Sequence, residues 1–188
     1  MSAPSPRGVV VVISGPSGVG KTTVVEGLLA LPGYERSITA TTRSIRAGEK
    51  SGVDYLFLGR EEFEAGVRSG RFLEHANVYG NLYGTPRDGV EAVLARGNAC
   101  LLNIDVQGAE SLRRSGLPVL TVFILPPTLE ELERRLGKRG TEDPSAAAHR
   151  LEVARREIAD AGRFDLRVVN RVVADAVGEI AAFVASRR

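Results

Sequence analysis

Residues 15–22 read Gly15-Pro16-Ser17-Gly18-Val19-Gly20-Lys21-Thr22 and follow directly on the apolar run 9–13. The spacing G-x-x-x-x-G-K-[ST] makes a strong demand on the fold. A buried strand must deliver the loop, and a helix must leave it, before the backbone amides can converge on a phosphate. Val9, Val10, Val11, Val12 and Ile13 are all β-branched, and residues 23–31 read as a short helix stopped by Pro32-Gly33. The glycines let the chain turn tightly, Lys21 would reach the β- and γ-phosphates, and the Thr22 hydroxyl would ligate Mg²⁺. A glycine-rich turn without a ligand also fits the bare pattern. The strand before it and the helix after it favour binding of a nucleoside triphosphate.

A length of 188 residues allows one domain, or one domain with a small insertion, with room for a proper core. The 43% hydrophobic and 26% charged residues are those of an ordinary globular protein. No apolar run approaches a membrane span and the N-terminus carries no signal-peptide core, so the expected location is cytoplasmic, with no membrane partner. The one cysteine, Cys100, cannot form an internal disulfide, and its apolar surroundings at 99–102 suit a small buried residue. A net charge of +2 argues against bulk nucleic-acid binding. Oligomeric state is undetermined by the sequence.

Short apolar strands alternate with amphipathic helices, the pattern of a parallel sheet covered on both faces. Beyond the first strand and helix, strands are predicted at 37–41, 99–104, 119–125 and 167–170, and helices at 128–136, 145–161 and 174–186. Thr128 followed by Glu131 forms a capping box. Residues 43–96 break the rhythm: strand-like pieces at 55–58 and 78–83 flank a helix at 61–69, and a helix at 86–96 returns to the core. The expected organisation is a core of residues 8–42 and 97–188, with a small α+β insertion at 43–96 over one sheet edge. Glycines at both ends of a charged loop suggest a lid at about 137–145, with a plain helix connector as the alternative. Ligands of such sheets bind beyond the carboxyl ends of the strands.

Four further stretches carry a resemblance. They are Thr41-Thr42-Arg43-Ser44-Ile45-Arg46-Ala47-Gly48-Glu49 with Gly52-Val53-Asp54-Tyr55, and Phe72-Leu73-Glu74-His75-Ala76 with Tyr79-Gly80-Asn81-Leu82-Tyr83-Gly84-Thr85. Leu102-Asn103-Ile104-Asp105-Val106-Gln107-Gly108 and Arg134-Arg135-Leu136-Gly137-Lys138-Arg139-Gly140-Thr141 complete the set. In order and spacing, from Val9 to Asn170, this set resembles the guanylate kinases, which are P-loop nucleoside monophosphate kinases. The resemblance implies an α/β, three-layer P-loop NTPase fold with a parallel sheet core, an α+β insertion that binds GMP, and a short lid.

The chemistry of these residues supports that reading. Two guanidinium groups, Arg43 and Arg46, with two phenols, Tyr55 and Tyr83, could hold a dianionic phosphate. Glu74 lies among apolar neighbours, where a carboxylate is costly unless paired. Guanine offers adjacent N1–H and N2–H donors that a carboxylate accepts, whereas adenine would leave it unpaired. By resemblance, Glu74, Asp105, Thr39 and Thr85 read the base, and Arg43, Arg46, Tyr55 and Tyr83 hold the GMP phosphate. The phosphate loop (Gly15, Pro16, Ser17, Gly18, Val19, Gly20, Lys21, Thr22 and Thr23) with Arg135, Arg139 and Asn170 would bind ATP. Asn170 corresponds to a residue near the adenine.

The candidate catalytic groups are Lys21, Arg43, Arg139 and Arg150. Mg²⁺ is the expected cofactor, on Thr22, with Asn103 and Asp105 able to reach it through water. Two positions depart from the family pattern: Asn103 stands where an acid is usual, and Arg171 where aspartate is common. His75 and His149 read as packing or surface residues. The expected reaction is transfer of the γ-phosphoryl group of ATP to GMP or dGMP, without a dedicated general base. A monophosphate kinase with another acceptor, and a catalytically silent binding module of the same family, are the alternatives.

Overall fold

Burial on both faces explains the first strand. β1 (Val9–Ser14) is buried along its whole length, with Val9, Val11 and Ile13 packed to one side and Val10 and Val12 to the other. A strand covered twice reads as an unbroken apolar run rather than as an alternation. The computed structural model describes residues 8–78, 80–137 and 144–188, without the side chains of 137 and 144–149.

After β1 come α1 (Lys21–Leu29), β2 (Tyr34–Arg36), β3 (Ala40–Thr41), β4 (Leu56–Phe57) and α2 (Arg60–Arg68). The hairpin β5 (Phe72–Val78) and β6 (Asn81–Pro86) follows, then α3 (Arg87–Ala95), β7 (Ala99–Asn103) and α4 (Val106–Arg113). The chain ends with β8 (Val119–Leu125), α5 (Leu129–Gly137), α6 (Pro144–Ala159), β9 (Leu166–Val169) and α7 (Val173–Ala185).

The main sheet has five parallel strands in the order β2-β7-β1-β8-β9. Helices α1 and α7 cover one face through Val24, Leu28, Ile180 and Val184. On the other face lie Val90 and Val93 of α3 and Ala109 and Leu112 of α4. The result is the three-layer α/β fold expected from the sequence. Helices α1 and α7 approach closely because residue 27 is glycine: a Cβ there would lie 2.7 Å from Val177 Cγ2. Among the described residues no helix is long and apolar enough to cross a membrane.

A second sheet, in the order β4-β3-β6-β5, builds on Ala40, Phe63 and Phe72, the two phenylalanine rings stacking at 4.5 Å. Its helix α3 packs on the main sheet rather than on this smaller core.

Three local expectations need correction. Residues 37–41 are not one strand: β2 ends at Arg36 in the main sheet and β3 starts at Ala40 in the second, with 37–39 crossing between them. Nor is 78–83 one piece, since Val78 pairs with Asn81 across a turn. Gly80, with φ 84°, supplies the left-handed residue, and its N–H donates to Asn77 Oδ1 at 2.9 Å. Helix α4 was not anticipated; it starts at the cap Asp105, whose Oδ1 accepts from the Gly108 N–H at 2.8 Å. The Thr128 cap does form, with the Glu131 N–H donating to its hydroxyl at 3.1 Å. Cys100 is fully buried, and burial pushes its thiol up to about 12, which makes it inert.

Strand β9 is fastened by a polar knot. The fully buried Thr121 donates its hydroxyl to Asp165 Oδ2 at 2.7 Å and accepts from the Asp165 N–H at 3.1 Å and from Arg113 Nη2 at 2.5 Å. Burial pushes the Asp165 carboxyl up, but Thr121 and Arg113 outweigh it and hold the pKa below the ordinary 3.8. Thr121→Val should cost about 1–3 kcal/mol in urea unfolding at neutral pH. A depressed pKa gives stability that is present above the unfolded-state value and lost as pH falls through the folded one. The deficit of the variant should therefore shrink below pH 3.8.

Candidate active site

The loop between β1 and α1 is shaped by three glycines with positive φ: 142° at Gly15, 80° at Gly18 and 97° at Gly20. At Gly15 and Gly20 there is also no room for a side chain. A Cβ at Gly15 would lie 2.5 Å from the Ile124 carbonyl oxygen, and one at Gly20 would lie 2.6 Å from Asn170 Nδ2. Leu136 of α5 packs over Gly18. Lys21 opens α1 and donates its ammonium to the carbonyls of Gly15 and Pro16, at 2.5 and 3.0 Å. Ser17, Thr22 and Thr23 are exposed beside it.

Two donors converge on the Val19 carbonyl: Asn170 Nδ2 at 2.9 Å and Arg135 Nη1 at 3.4 Å. Arg135 is itself held by Glu131, which receives Arg135 Nε at 2.8 Å. Hydrogen bonds from Arg134 and Arg135 lower the Glu131 carboxyl to about 2. Arg150 lies on α6. Arg139 and the centre of the expected lid, residues 138–143, fall outside the described residues.

Beside the loop opens a cleft of about 250 Å³ between the main sheet and the second sheet, lined by Thr39, Tyr55, Glu74, Tyr83, Asn103 and Asp105 among others. Strands β5 and β6 bring Glu74 opposite Thr85, whose hydroxyl donates to Glu74 Oε1 at 2.5 Å. Glu74 is 7% exposed. Its other oxygen faces the first turn of α4, where a Cβ at Gly108 would approach to 3.2 Å. Burial, against the Thr85 bond, pushes the Glu74 carboxyl above its ordinary 4.5, and the neighbouring charge of Asp105 adds to the rise. Asp105 is exposed, with one oxygen committed to capping α4.

At the far end of the cleft the Arg43 guanidinium lies 5.4 Å from the Tyr55 ring, and Tyr55 packs edge-on to Tyr83 at 6.1 Å. Arg46 is exposed three residues on. A second cleft, of about 210 Å³, continues from here to Thr22 and shares Thr39, Tyr55 and Asn103 with the first. Thr39, Tyr55 and Asn103 therefore border both clefts, and Thr22 of the phosphate loop lines the second.

Residues 7–187 match the family model described as guanylate kinase. The chain belongs to the guanylate kinase family. It is 44% identical to the guanylate kinase of Symbiobacterium thermophilum, over 97% of this chain and 87% of that one. It is 45% identical to the guanylate kinase of Clostridium perfringens, over 97% and 85%. The crystal structure of guanylate kinase from Anaplasma phagocytophilum superposes with a TM-score of 0.75 at 36% identity, covering 97% of this chain and 87% of that one.

Three carboxylates hold or face basic groups of the site, a part that the motifs did not assign to them. Glu49 lies within the stretch that carries the resemblance, yet no role was expected of it. It receives Arg43 Nη2 in a fork at 2.8 and 3.1 Å and the Arg46 N–H at 2.8 Å, and the Arg43 bond foremost lowers its pKa. Glu131 is the partner of Arg135. Glu157, half-buried on α6, is pushed up by burial, pulled down by Lys21 and pushed up again by Asp105. Only the i,i+4 spacing of Glu131 and Arg135 could have signalled any of these pairs.

The donors available to a metal are the Thr22 hydroxyl, the Asn103 amide and the Asp105 carboxylate, and all three residues are exposed. Among the described residues no group of three His, Cys, Asp or Glu side chains could cage an ion. A few exposed oxygens suit Mg²⁺, which keeps several waters and leans on substrate phosphates.

The raised pKa of Glu74 has a stability consequence. Its contribution is complete below the unfolded-state value and lost as pH rises through the folded one, so the ionised group works against the fold at neutral pH. Glu74→Gln should therefore raise the melting temperature of the substrate-free protein at neutral pH, read by calorimetry, and the gain should vanish in acid.

Proposed function

We propose that the protein transfers the γ-phosphoryl group of ATP to GMP, and to dGMP, giving ADP and GDP or dGDP. The observation that carries this reading is the buried Glu74 carboxylate in a cleft that shares Thr39, Tyr55 and Asn103 with the one reaching Thr22. A buried acceptor demands a donor pair. The N1–H and N2–H₂ edge of guanine offers one, and an adenine does not. Thr85 holds one oxygen of Glu74 in place; Thr39 and Asp105 add polar groups to the same cleft.

Arg43, Arg46, Tyr55 and Tyr83 would receive the GMP phosphate. Glu49 keeps the Arg43 fork oriented before substrate arrives, which lowers the ordering cost of binding. The donor triphosphate would lie in the loop from Gly15 to Thr23, with Arg135 and Asn170 beside it. Lys21, now resting on loop carbonyls, would turn to the phosphates. Arg139 and Arg150 would add positive charge to the transferring group. Mg²⁺, on Thr22 and through water on Asn103 and Asp105, supplies charge neutralisation when bound with ATP. The acceptor phosphate has a second pKa of about 6 and is already largely ionised, so no general base is assigned. Catalysis rests on in-line positioning and charge neutralisation. The insertion at 43–96 would carry most of the GMP contacts, and a lid at about 137–145 would close over ATP. The reading places the enzyme in the cytoplasm.

A coupled assay of ADP release, offering GMP, dGMP, AMP, UMP and CMP in turn, should give turnover with GMP and dGMP alone. Turnover with another acceptor would overturn the Glu74 argument, and none from folded protein would favour a silent binding module. Lys21→Ala should lower kcat at least about a hundredfold with an unchanged melting curve. Glu74→Gln should weaken GMP about a hundredfold and leave ATP affinity near that of the parent. Equal losses on both nucleotides would displace the guanine site.

A further inference from the structure

We propose that Asn170 is a positioning residue for the phosphate loop, holding the Val19–Gly20 peptide so that the Gly20 N–H faces the phosphates whatever base the donor carries. The inference rests on the reading that the donor triphosphate binds at this loop. It starts from the direction of one amide. Asn170 Nδ2 lies 2.9 Å from the Val19 carbonyl oxygen, which can only accept, so the nitrogen end of the side chain must face the loop. Turning the amide over would oppose two oxygens.

The peptide between Val19 and Gly20 is trans, because the described chain contains no cis bond. In a trans peptide the C=O and the N–H point in opposite directions. Pinning the Val19 carbonyl against Asn170 therefore fixes the Gly20 N–H on the opposite side of the peptide, the side assigned here to a phosphate oxygen.

Both partners are themselves immobilised. Asn170 is 3% exposed, and its own N–H donates to the Leu125 carbonyl at 2.9 Å, extending the β8–β9 ladder. The Val19 side chain is fully buried in the core between α1 and the sheet. The contact is tight enough that a Cβ on Gly20 would sit 2.6 Å from the Asn170 nitrogen. Arg135 Nη1, at 3.4 Å, is a weaker second donor to the same carbonyl. Its loop-facing neighbours therefore brace the turn from two elements far apart in the chain, and only Asn170 does so at short range.

Inorganic tripolyphosphate with Mg²⁺ tests this, because it engages the loop and has no base. Asn170→Leu keeps the branched shape and removes both polar atoms. Calorimetric titration of the full chain should show tripolyphosphate affinity about tenfold weaker, roughly the worth of one hydrogen bond. In the same variant kcat should fall and GMP affinity should stay at the parent value, a split that general loosening of the fold would not give. Loss of ATP affinity with tripolyphosphate affinity unchanged would overturn the proposal and leave Asn170 as a contact to the adenine alone. Asn170→Ala, which adds no bulk, is read by the same criteria should the leucine variant fail to fold. A parent protein that binds no tripolyphosphate would sink the donor-site reading itself, and this proposal with it.

Discussion

The turn from Gly15 to Gly20 is closed in on its protein side by near neighbours. A β8 carbonyl closes on Gly15, Leu136 of α5 on Gly18, and the Asn170 amide on Gly20. The positive φ at each of these glycines and the missing space for a Cβ at Gly15 and Gly20 are separate demands, and both must be met for the amides to converge. Strand β1 satisfies the first requirement by entering the turn from complete burial, which fixes its direction. Strands β8 and β9, on one side of β1, then supply the walls. The order β2-β7-β1-β8-β9 is what brings residue 124 and residue 170 to the same loop.

The acceptor cleft is held by the opposite kind of constraint, a polar group kept where water is scarce. Glu74 is buried beside Asp105, and both burial and that charge resist its ionisation. The fold tolerates this because one oxygen has the Thr85 hydroxyl and the other faces the start of α4, where glycine at 108 leaves room. A carboxylate in that state is short of donors. Stability is surrendered at that carboxylate, as is common where a fold departs from its most stable sequence.

What the sequence made legible follows from how local each signal is. β1 and the loop could be read because two-sided burial writes an unbroken β-branched run and the motif is contiguous. The crossing at 37–39 could not, because no glycine or proline marks the passage from one sheet to the other. The run 78–83 hid a hairpin because Val78, Leu82 and Tyr83 read as one strand, although the Gly80-Asn81 pair within it is a turn signal. Helix α4 is short and has few apolar positions, Ala109 and Leu112 among them, so its period was too weak to stand out. Glu74 was legible as a buried acid from its neighbours. The Val19 junction was not, since its partners lie 151 and 116 residues away and meet only through the sheet order.

Asn103 draws these two regions together, because it lines both the acceptor cleft and the passage to Thr22. An acid there, as the family pattern usually has, would add a third carboxylate to a space already holding Glu74 and Asp105. Like charges raise one another's pKa, so Glu74 would be pushed further from its ionised form. The neutral amide removes that repulsion and could still hydrogen-bond a water on a Mg²⁺ ion bound with ATP. Its cost would fall on such a cation, which would have one negative charge fewer nearby. Mg²⁺ draws most of its attraction from the phosphates it accompanies, so that loss is small beside the charge of a triphosphate. Under the proposed function, Asn103 would therefore favour the ionised form of Glu74 over a tighter hold on the metal.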